Sequence, residues 1–171
     1  MTEKFAIVFP GQGSQSVGMM SDLYESQAVV KDTFTEASDA LGFDLWSMIK
    51  NGPAEQLNQT HNTQPAMLAS GIAVWRTLQQ AGIPAPAKLA GHSLGEYSAL
   101  VAAGSIGFGD AIKLVAERGR LMQAAVPEGE GAMAAILGLE DAQVKSICSE
   151  AAEGLVVEAV NFNSPGQVVI A

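Results

Sequence analysis

The stretch Gly91-His92-Ser93-Leu94-Gly95 decides how this chain is interpreted. It has the form Gly-x-Ser-x-Gly, which makes a sharp turn between a strand and a helix and exposes the serine hydroxyl. The two glycines supply the small residues that a tight turn needs. The backbone N–H after the serine points to the same place as its hydroxyl. We therefore expect Ser93 to be an acylated nucleophile, with the amide of Leu94 as one oxyanion donor.

The sequence around this turn has the order strand, turn, helix. Lys88-Leu89-Ala90 predicts the end of a short strand. Residues 94–103 place apolar side chains at helical spacing, and Gly104 ends the pattern. A glycine-flanked surface serine is the plain alternative for a pattern of five residues. The order of the elements favours the nucleophile.

The remaining elements predict an α/β fold, with an apolar strand over residues 5–9 that runs into the loop Gly11-Gln12-Gly13. Such a loop is typical of a site at the carboxyl edge of a sheet. Apolar spacing also predicts a helix over residues 28–41 and another from a first turn at Pro65 to Gly82, with Leu78 on its inward stripe. A further helix is predicted over residues 108–126, with an inward stripe that includes Met122 and Val126. The glycine- and proline-rich residues 127–131 then predict a boundary.

Beyond this boundary the pattern becomes strand, helix, strand, strand. The segments are residues 133–137, 141–153, 155–160 and 167–171. This order matches the first four elements of a ferredoxin-like unit.

Composition limits the classes of protein that are possible. A chain of 171 residues can bury one core, or one domain and part of another. The net charge of −9 argues against nucleic acid as a partner. Cys148 is the only cysteine, and neither a membrane-spanning run nor a secretory signal is recognisable, so we expect a cytoplasmic location. No motif for a cofactor or a metal ion is found.

Five motifs in register resemble a known family: Phe9 to Gln15, Thr63-Gln64-Pro65-Ala66, Gly91 to Glu96, Arg118-Gly119 and Asn161 to Gln167. They resemble the malonyl-CoA:acyl carrier protein transacylases of bacterial type II fatty acid synthesis and the acyltransferase domains of modular synthases. The resemblance covers the whole chain. It implies an α/β-hydrolase-like large subdomain, with residues 1–127 as its N-terminal part, and a ferredoxin-like small subdomain, incomplete in residues 128–171.

The resemblance also implies an activity, a set of partners and a site. Ser93 would take a malonyl group from malonyl-CoA and pass it to the phosphopantetheine thiol of acyl carrier protein. From the charge and the hydropathy we expect a protein that binds neither nucleic acid nor membrane, and we expect it to be a monomer. The backbone of Gln12 would be the second oxyanion donor, Arg118 would pair with the malonyl carboxylate, and Gln64 would line the acyl pocket. Asn161 and Asn163 would belong to a loop that faces the site.

Each of these residues also has a plainer interpretation from sequence alone. Arg118 could be a surface arginine beside a buried stripe, because long cationic side chains often lie this way. Gln12 could be an exposed turn residue, and Gln64 could simply precede the proline that begins a helix. Asn161 and Asn163 could form a turn.

The general base is the missing part of the predicted site. His92 is next to Ser93 and is expected to diverge from it, and His61 lies in a polar stretch that predicts a solvated loop. The resemblance implies that the catalytic histidine lies outside this chain, which puts the activity of these 171 residues alone in question. Two alternatives stay open: a serine esterase or thioesterase, and an inactive fragment that binds acyl carrier protein.

Overall fold

The computed structural model describes residues 4–126 and 130–171. It divides the chain into two compact units, Met1–Ala125 and Val126–Ala171. The boundary predicted between residues 127 and 128 lies outside the described residues. No helix in the described ranges has both the length and the hydropathy to cross a membrane.

The first unit is a mixed α/β structure. Its elements in chain order are β1 (Ala6–Phe9), α1 (Ser21–Ser26), α2 (Ala28–Leu41), α3 (Leu45–Asn51), α4 (Ala54–Leu57), α5 (Thr60–Gln80), β2 (Lys88–Gly91), α6 (Leu94–Ala102) and α7 (Phe108–Ala125). The predicted strands at residues 5–9 and 88–90 are confirmed, as are the helix over 28–41 and those that follow Ser93 and begin at Phe108.

Helix α5 forms the centre of this unit and packs against α2, α6 and α7. Its Leu68 and Ile72 are buried together with Phe34 of α2 and Ile112 of α7. Burying a side chain of this size contributes about 1.5–3 kcal/mol each, so these contacts hold the helices together. Strands β1 and β2 pair in parallel, with Phe9 opposite Gly91. The loops after both strands therefore leave the same edge of the sheet.

The prediction that Pro65 lies in the first turn of its helix is wrong. Helix α5 begins at Thr60, so Pro65 is inside it. The proline costs only one hydrogen bond, that to the carbonyl of His61. Side chains stabilise the preceding turn instead, since the Thr63 hydroxyl donates to the carbonyl of Leu57 over 2.6 Å. His61 consequently lies on a helix, not in a solvated loop.

Two apolar stripes end earlier than predicted. The inward face of α7 is buried as far as Gly119, but Met122 and Val126 are each 49% exposed. Gly119 contacts the first turn of α5, so the following residues of α7 pass beyond the end of that helix. Leu78, in the last turn of α5, is also partly exposed.

Helices α1 and α3 are not foreseen by the sequence analysis. Helix α3 has a recognisable start, because the side chain of Asp44 accepts a hydrogen bond from the amide of Ser47 over 2.8 Å. Helix α1 follows Met20, whose backbone is left-handed (φ 68°), and its first residues carry no side-chain cap. Both helices have fewer than eight residues, too few for an apolar period to be clear.

The second unit consists of β3 (Ala134–Leu137), α8 (Asp141–Ala151), β4 (Ala159–Ser164) and β5 (Gln167–Ile170). The strands form one antiparallel sheet in the order β3-β5-β4. Helix α8 covers the sheet with Val144 and Cys148, which pack with Val168 of β5.

The strand predicted over residues 155–160 is wrong in position. Leu155 and Val156 are about 80% exposed, and the strand runs from Ala159 to Ser164. The hairpin turn between Ser164 and Gln167 sets the pairing, which ends with Ala159 opposite Ile170. The apolar residues 155–157 have no strand opposite them in this pairing, so their backbone groups cannot form the hydrogen bonds of the sheet. Asn161 and Asn163 therefore belong to β4, not to a loop or turn.

Candidate active site

Ser93 lies on a strained turn between β2 and α6. Its backbone is at φ 52° and ψ −112°, which side-chain-bearing residues rarely adopt. A Cβ on Gly91 would overlap the backbone of Gly95, and one on Gly95 would overlap the carbonyl of Phe9. Both flanking positions must therefore be glycine for the turn to close. This backbone presents an exposed Ser93 at the N-terminus of α6.

The loop after β1 lies against this turn. A Cβ on Gly11 would be 3.0 Å from the carbonyl oxygen of His92. Gln12 therefore follows a residue in direct contact with the turn of residues 91–95, the elbow that carries Ser93. The loop is held by Gln15, whose side chain accepts from the amide of Gly13 over 2.9 Å and donates to Asn58 over 3.0 Å.

The backbone amides of Leu94 and Gln12 carry no hydrogen bond to another group of the described chain. Leu94 is the first residue of α6, where amides lack an intrahelical acceptor and the helix dipole favours negative charge. Within the described chain both amides are therefore available to donate to an oxyanion, and their role as oxyanion donors stays a prediction.

Arg118 reaches the serine from α7. Its Nη2 donates to the Oγ of Ser93 over 3.0 Å, and its Nη1 donates to the Oε1 of Gln64 over 2.8 Å. The guanidinium also lies over the ring of Tyr97, 5.6 Å from its centre, as in a cation–π contact. Three elements, α5, α6 and α7, thus fix one cation beside the candidate nucleophile.

Gly119 makes this approach possible. A Cβ on Gly119 would lie 2.6 Å from the carbonyl oxygen of Thr60, so any larger residue would push α7 away from α5. Because Arg118 precedes Gly119, the close crossing of the two helices sets the distance from Arg118 to Gln64. If Arg118 were an ordinary surface arginine, as its sequence context alone allows, its contacts with Ser93 and Gln64 would have no explanation.

Gln64 is fully buried and continues the chain of hydrogen bonds. Its Nε2 donates to the Sδ of Met122 over 3.3 Å, one helical turn after Arg118. Ser93, Arg118, Gln64 and Met122 therefore form a connected series. Tyr97 and Met122 were not identified as site residues from the sequence, although each lies four positions after one that was, at the spacing of one helix face.

Arg118 differs from the other two arginines of the chain in its partners. Arg76 bonds Glu36 over 2.8 Å, and Arg120 forms an ion pair with Glu117. Within the described residues the hydrogen-bond partners of Arg118 are neutral. In a chain with 18 acidic residues and nine basic ones, this is a cation left free to receive an anion.

The chain's two histidines are not placed as bases for Ser93. In the described structure the side-chain partner of Ser93 Oγ is Arg118, and neither His61 nor His92 hydrogen-bonds it. His92 is exposed beside Gly11, and His61 lies against Gly119. Nor do the described residues bring three potential metal-binding side chains together.

Comparisons with known proteins agree on one family. Residues 6–171 match the model of the acyl transferase domain. The malonyl CoA-acyl carrier protein transacylase of Escherichia coli K12 is 63% identical over 168 residues, and that of Bacillus subtilis is 50% identical. Each alignment covers 98% of this chain but only 54% and 53% of the relative, so the chain spans about half the length of these relatives.

Solved structures give the same result. An acyl carrier protein S-malonyltransferase from Vibrio cholerae has a TM-score of 0.93 and 65% identity, over 98% of this chain and 55% of that one. A malonyl-transacylase solved with the acyl carrier protein of a type II polyketide synthase has a TM-score of 0.95 and 58% identity, over 98% of this chain and 54% of that one. With a family match over nearly its whole length, this chain belongs to the acyl transferase domain family.

Proposed function

We propose that the native protein containing this chain transfers malonyl from malonyl-CoA to the phosphopantetheine thiol of acyl carrier protein, in fatty acid biosynthesis. The observation that carries the proposal is the free cation at the nucleophile, Arg118 beside Ser93. The names of the relatives in Escherichia coli and Bacillus subtilis support the same substrate and acceptor.

The chemistry proceeds in two similar steps. The Oγ of Ser93 attacks the thioester carbonyl, the C–S bond breaks, and CoA leaves as its thiol with the proton that Ser93 gave up. The carrier thiol then attacks the carbonyl of the malonyl-serine ester, the C–O bond to Ser93 breaks, and Ser93 Oγ takes up the proton that the carrier thiol gave up. In each step the amides of Leu94 and Gln12 would bind the negative oxygen of the tetrahedral intermediate, a contribution typically worth about 3 kcal/mol for one donor.

Arg118 supplies selectivity for a dicarboxylic acyl group. In a malonyl thioester one methylene separates the carbonyl from the free carboxylate. When the carbonyl is at Ser93 Oγ, the carboxylate therefore lies close by, within reach of a guanidinium that already bonds this oxygen. The planar guanidinium can bind both carboxylate oxygens, which a lysine cannot do.

We further propose that the general base is a residue other than His61 and His92, contributed from outside the 171 residues. We also assign the first unit to an α/β-hydrolase-like subdomain and the second to a ferredoxin-like one. The parallel pair β1-β2 with its elbow and the strand order β3-β5-β4 support these assignments. The cytoplasmic location and the monomeric state stay predictions.

Acyl exchange with the native protein tests the proposal. Malonyl-CoA is mixed with acyl carrier protein, and the carrier and free malonate are both quantified by mass spectrometry. Malonyl-carrier is the expected product. Free malonate alone would indicate the esterase or thioesterase, and binding of the carrier without turnover would indicate the inactive module. The esterase is not favoured, because the relatives are named transacylases and because an ordinary ester substrate has no carboxylate for Arg118 to bind.

A further inference from the structure

We propose that Gln64 is a positioning residue, which holds Arg118 by a neutral hydrogen bond and leaves its positive charge available to the substrate carboxylate. This inference rests on the proposed function. It changes the role that the sequence analysis expects for Gln64, from a residue that lines the acyl pocket to one that acts through Arg118.

Burial excludes direct contact between Gln64 and substrate in this structure. The side chain has no exposed surface, and both ends of its amide are occupied, Oε1 by Arg118 and Nε2 by the Sδ of Met122. No buried side-chain nitrogen or oxygen of the described residues is left without a partner. Gln64 therefore has no exposed polar atom to offer a ligand.

The chemistry of the neighbours fixes the orientation of the amide. A guanidinium only donates hydrogen bonds, so Oε1 must face Arg118. The amino group then faces Met122, whose thioether is a weak acceptor and has no proton to oppose it. The reverse orientation would set two donors against each other. Met122 thus helps to keep the acceptor of Gln64 directed at Arg118.

The neutrality of Gln64 matters as much as its position. A glutamate of the same length would also accept from Arg118, but it would cancel the charge, as Glu36 and Glu117 do for the other two arginines. A buried glutamine fixes the guanidinium without this competition. The hydrogen bond to a charged donor is still a strong one, because charge-assisted bonds exceed neutral ones.

The decisive substitution is Gln64→Glu in the native protein. Beside Arg118 the new carboxyl would be ionised, since a neighbouring cation favours the charged form. We expect kcat/KM for malonyl-CoA to fall by about tenfold or more, mainly through KM, as expected when a charge pair is lost. The value for acetyl-CoA should be kept, so the malonyl-to-acetyl ratio falls. Gln79→Glu adds the same charge at an exposed position of α5 and should leave both values unchanged.

A second variant covers the case in which Gln64→Glu does not fold. Gln64→Met keeps the length of the side chain and removes the acceptor without adding charge. It should raise KM for malonyl-CoA while kcat is largely retained. Suppose the wild-type protein prefers malonyl-CoA and neither folded variant changes that preference. Gln64 then does not position Arg118, and this inference is overturned while the proposed function stands. If the wild-type protein transfers no malonyl group, the proposed function fails, and the inference fails with it.

Discussion

The Nη2 of Arg118 donates a hydrogen bond of 3.0 Å to the Oγ of Ser93, although the two residues are 25 positions apart in the sequence. The contact joins α7 to the elbow before α6 and brings the one arginine of the described chain that has no acidic partner to the candidate nucleophile. A substrate carboxylate bound to Arg118 would hold the neighbouring thioester carbonyl beside Ser93, which attacks it. Both halves of the proposed reaction, acylation and selectivity, follow from this contact.

Removing the guanidinium of Arg118 should change selectivity more than it changes catalysis. In Arg118→Ala we expect the ratio of kcat/KM for malonyl-CoA to that for acetyl-CoA to fall at least about tenfold, which corresponds to about 1.4 kcal/mol. Acetyl transfer should be kept or increased, because acetyl has no carboxylate to leave unpaired. Arg118→Lys should recover little, since a point charge replaces a planar donor.

Arg120→Ala is the matched control on the same helix. Arg120 is exposed, and its hydrogen bonds hold the pKa of the Glu117 carboxyl below its ordinary value. Losing this pair should leave both substrates' kinetics unchanged, because exposed ion pairs contribute little. Should malonyl and acetyl transfer decline together in Arg118→Ala, Arg118 would be supporting the fold and the selectivity argument would be wrong.

Ser93 should be the residue that carries the acyl group. After incubation of the native protein with malonyl-CoA, peptide mass spectrometry should place the added mass on Ser93. Ser93→Ala should lose the label, and its transfer rate should fall by a factor of about 10⁴–10⁶, the usual result of removing a nucleophile. Ser105→Ala, at an exposed position after α6, should behave like wild type. Label that persists in Ser93→Ala would contradict the assignment.

A methyl group at Gly119 should separate α7 from α5. Alanine normally favours a helix over glycine by up to about 1 kcal/mol. Here its Cβ would meet the backbone of Thr60 and His61, neither of which can move cheaply, so we expect a net loss of about 1–3 kcal/mol. Denaturation followed by circular dichroism gives the change in unfolding midpoint.

Gly109→Ala gives the comparison for this prediction within the same helix. No atom lies within 4 Å of a Cβ at Gly109, so the substitution should keep or raise the midpoint. Gly119→Ala should also weaken malonyl selectivity, because Arg118 is the preceding residue. Equal midpoints for the two variants would show that the helices do not need the close approach.

Residues 1–171 alone should turn over very slowly. Neither histidine of the chain is bonded to Ser93 in the described structure, so neither is placed to act as a base for its hydroxyl. We expect these residues to transfer malonyl more slowly than a full-length relative assayed in parallel, by a factor of about 10⁴–10⁶. A comparable rate would require His92 to be reconsidered as the base.

The sequence by itself determined the elements whose signals are local. The Gly-x-Ser-x-Gly pattern predicted the strand, turn and helix around Ser93, because the clash that excludes a larger residue at Gly91 arises within this turn, with the backbone of Gly95. The apolar period predicted α2 with the bounds that are observed, 28–41. The five motifs predicted the family, which the comparisons confirm.

Only the tertiary structure decided the features that depend on distant partners. The strand predicted from Leu155 begins at Ala159 because the hairpin and β5 set its register. The start of α5 at Thr60 is supported by the side-chain bond from Thr63 to Leu57, the last residue of α4.

At the candidate site, the apolar pattern around Arg118 does not by itself distinguish a surface arginine from one that bonds Ser93. That choice depends on the approach of α7 to α5 at Gly119 and on the buried Gln64, which is 54 positions away in sequence. Local patterns report backbone conformation and burial, whereas the partner of a long charged side chain is fixed only when separate helices pack.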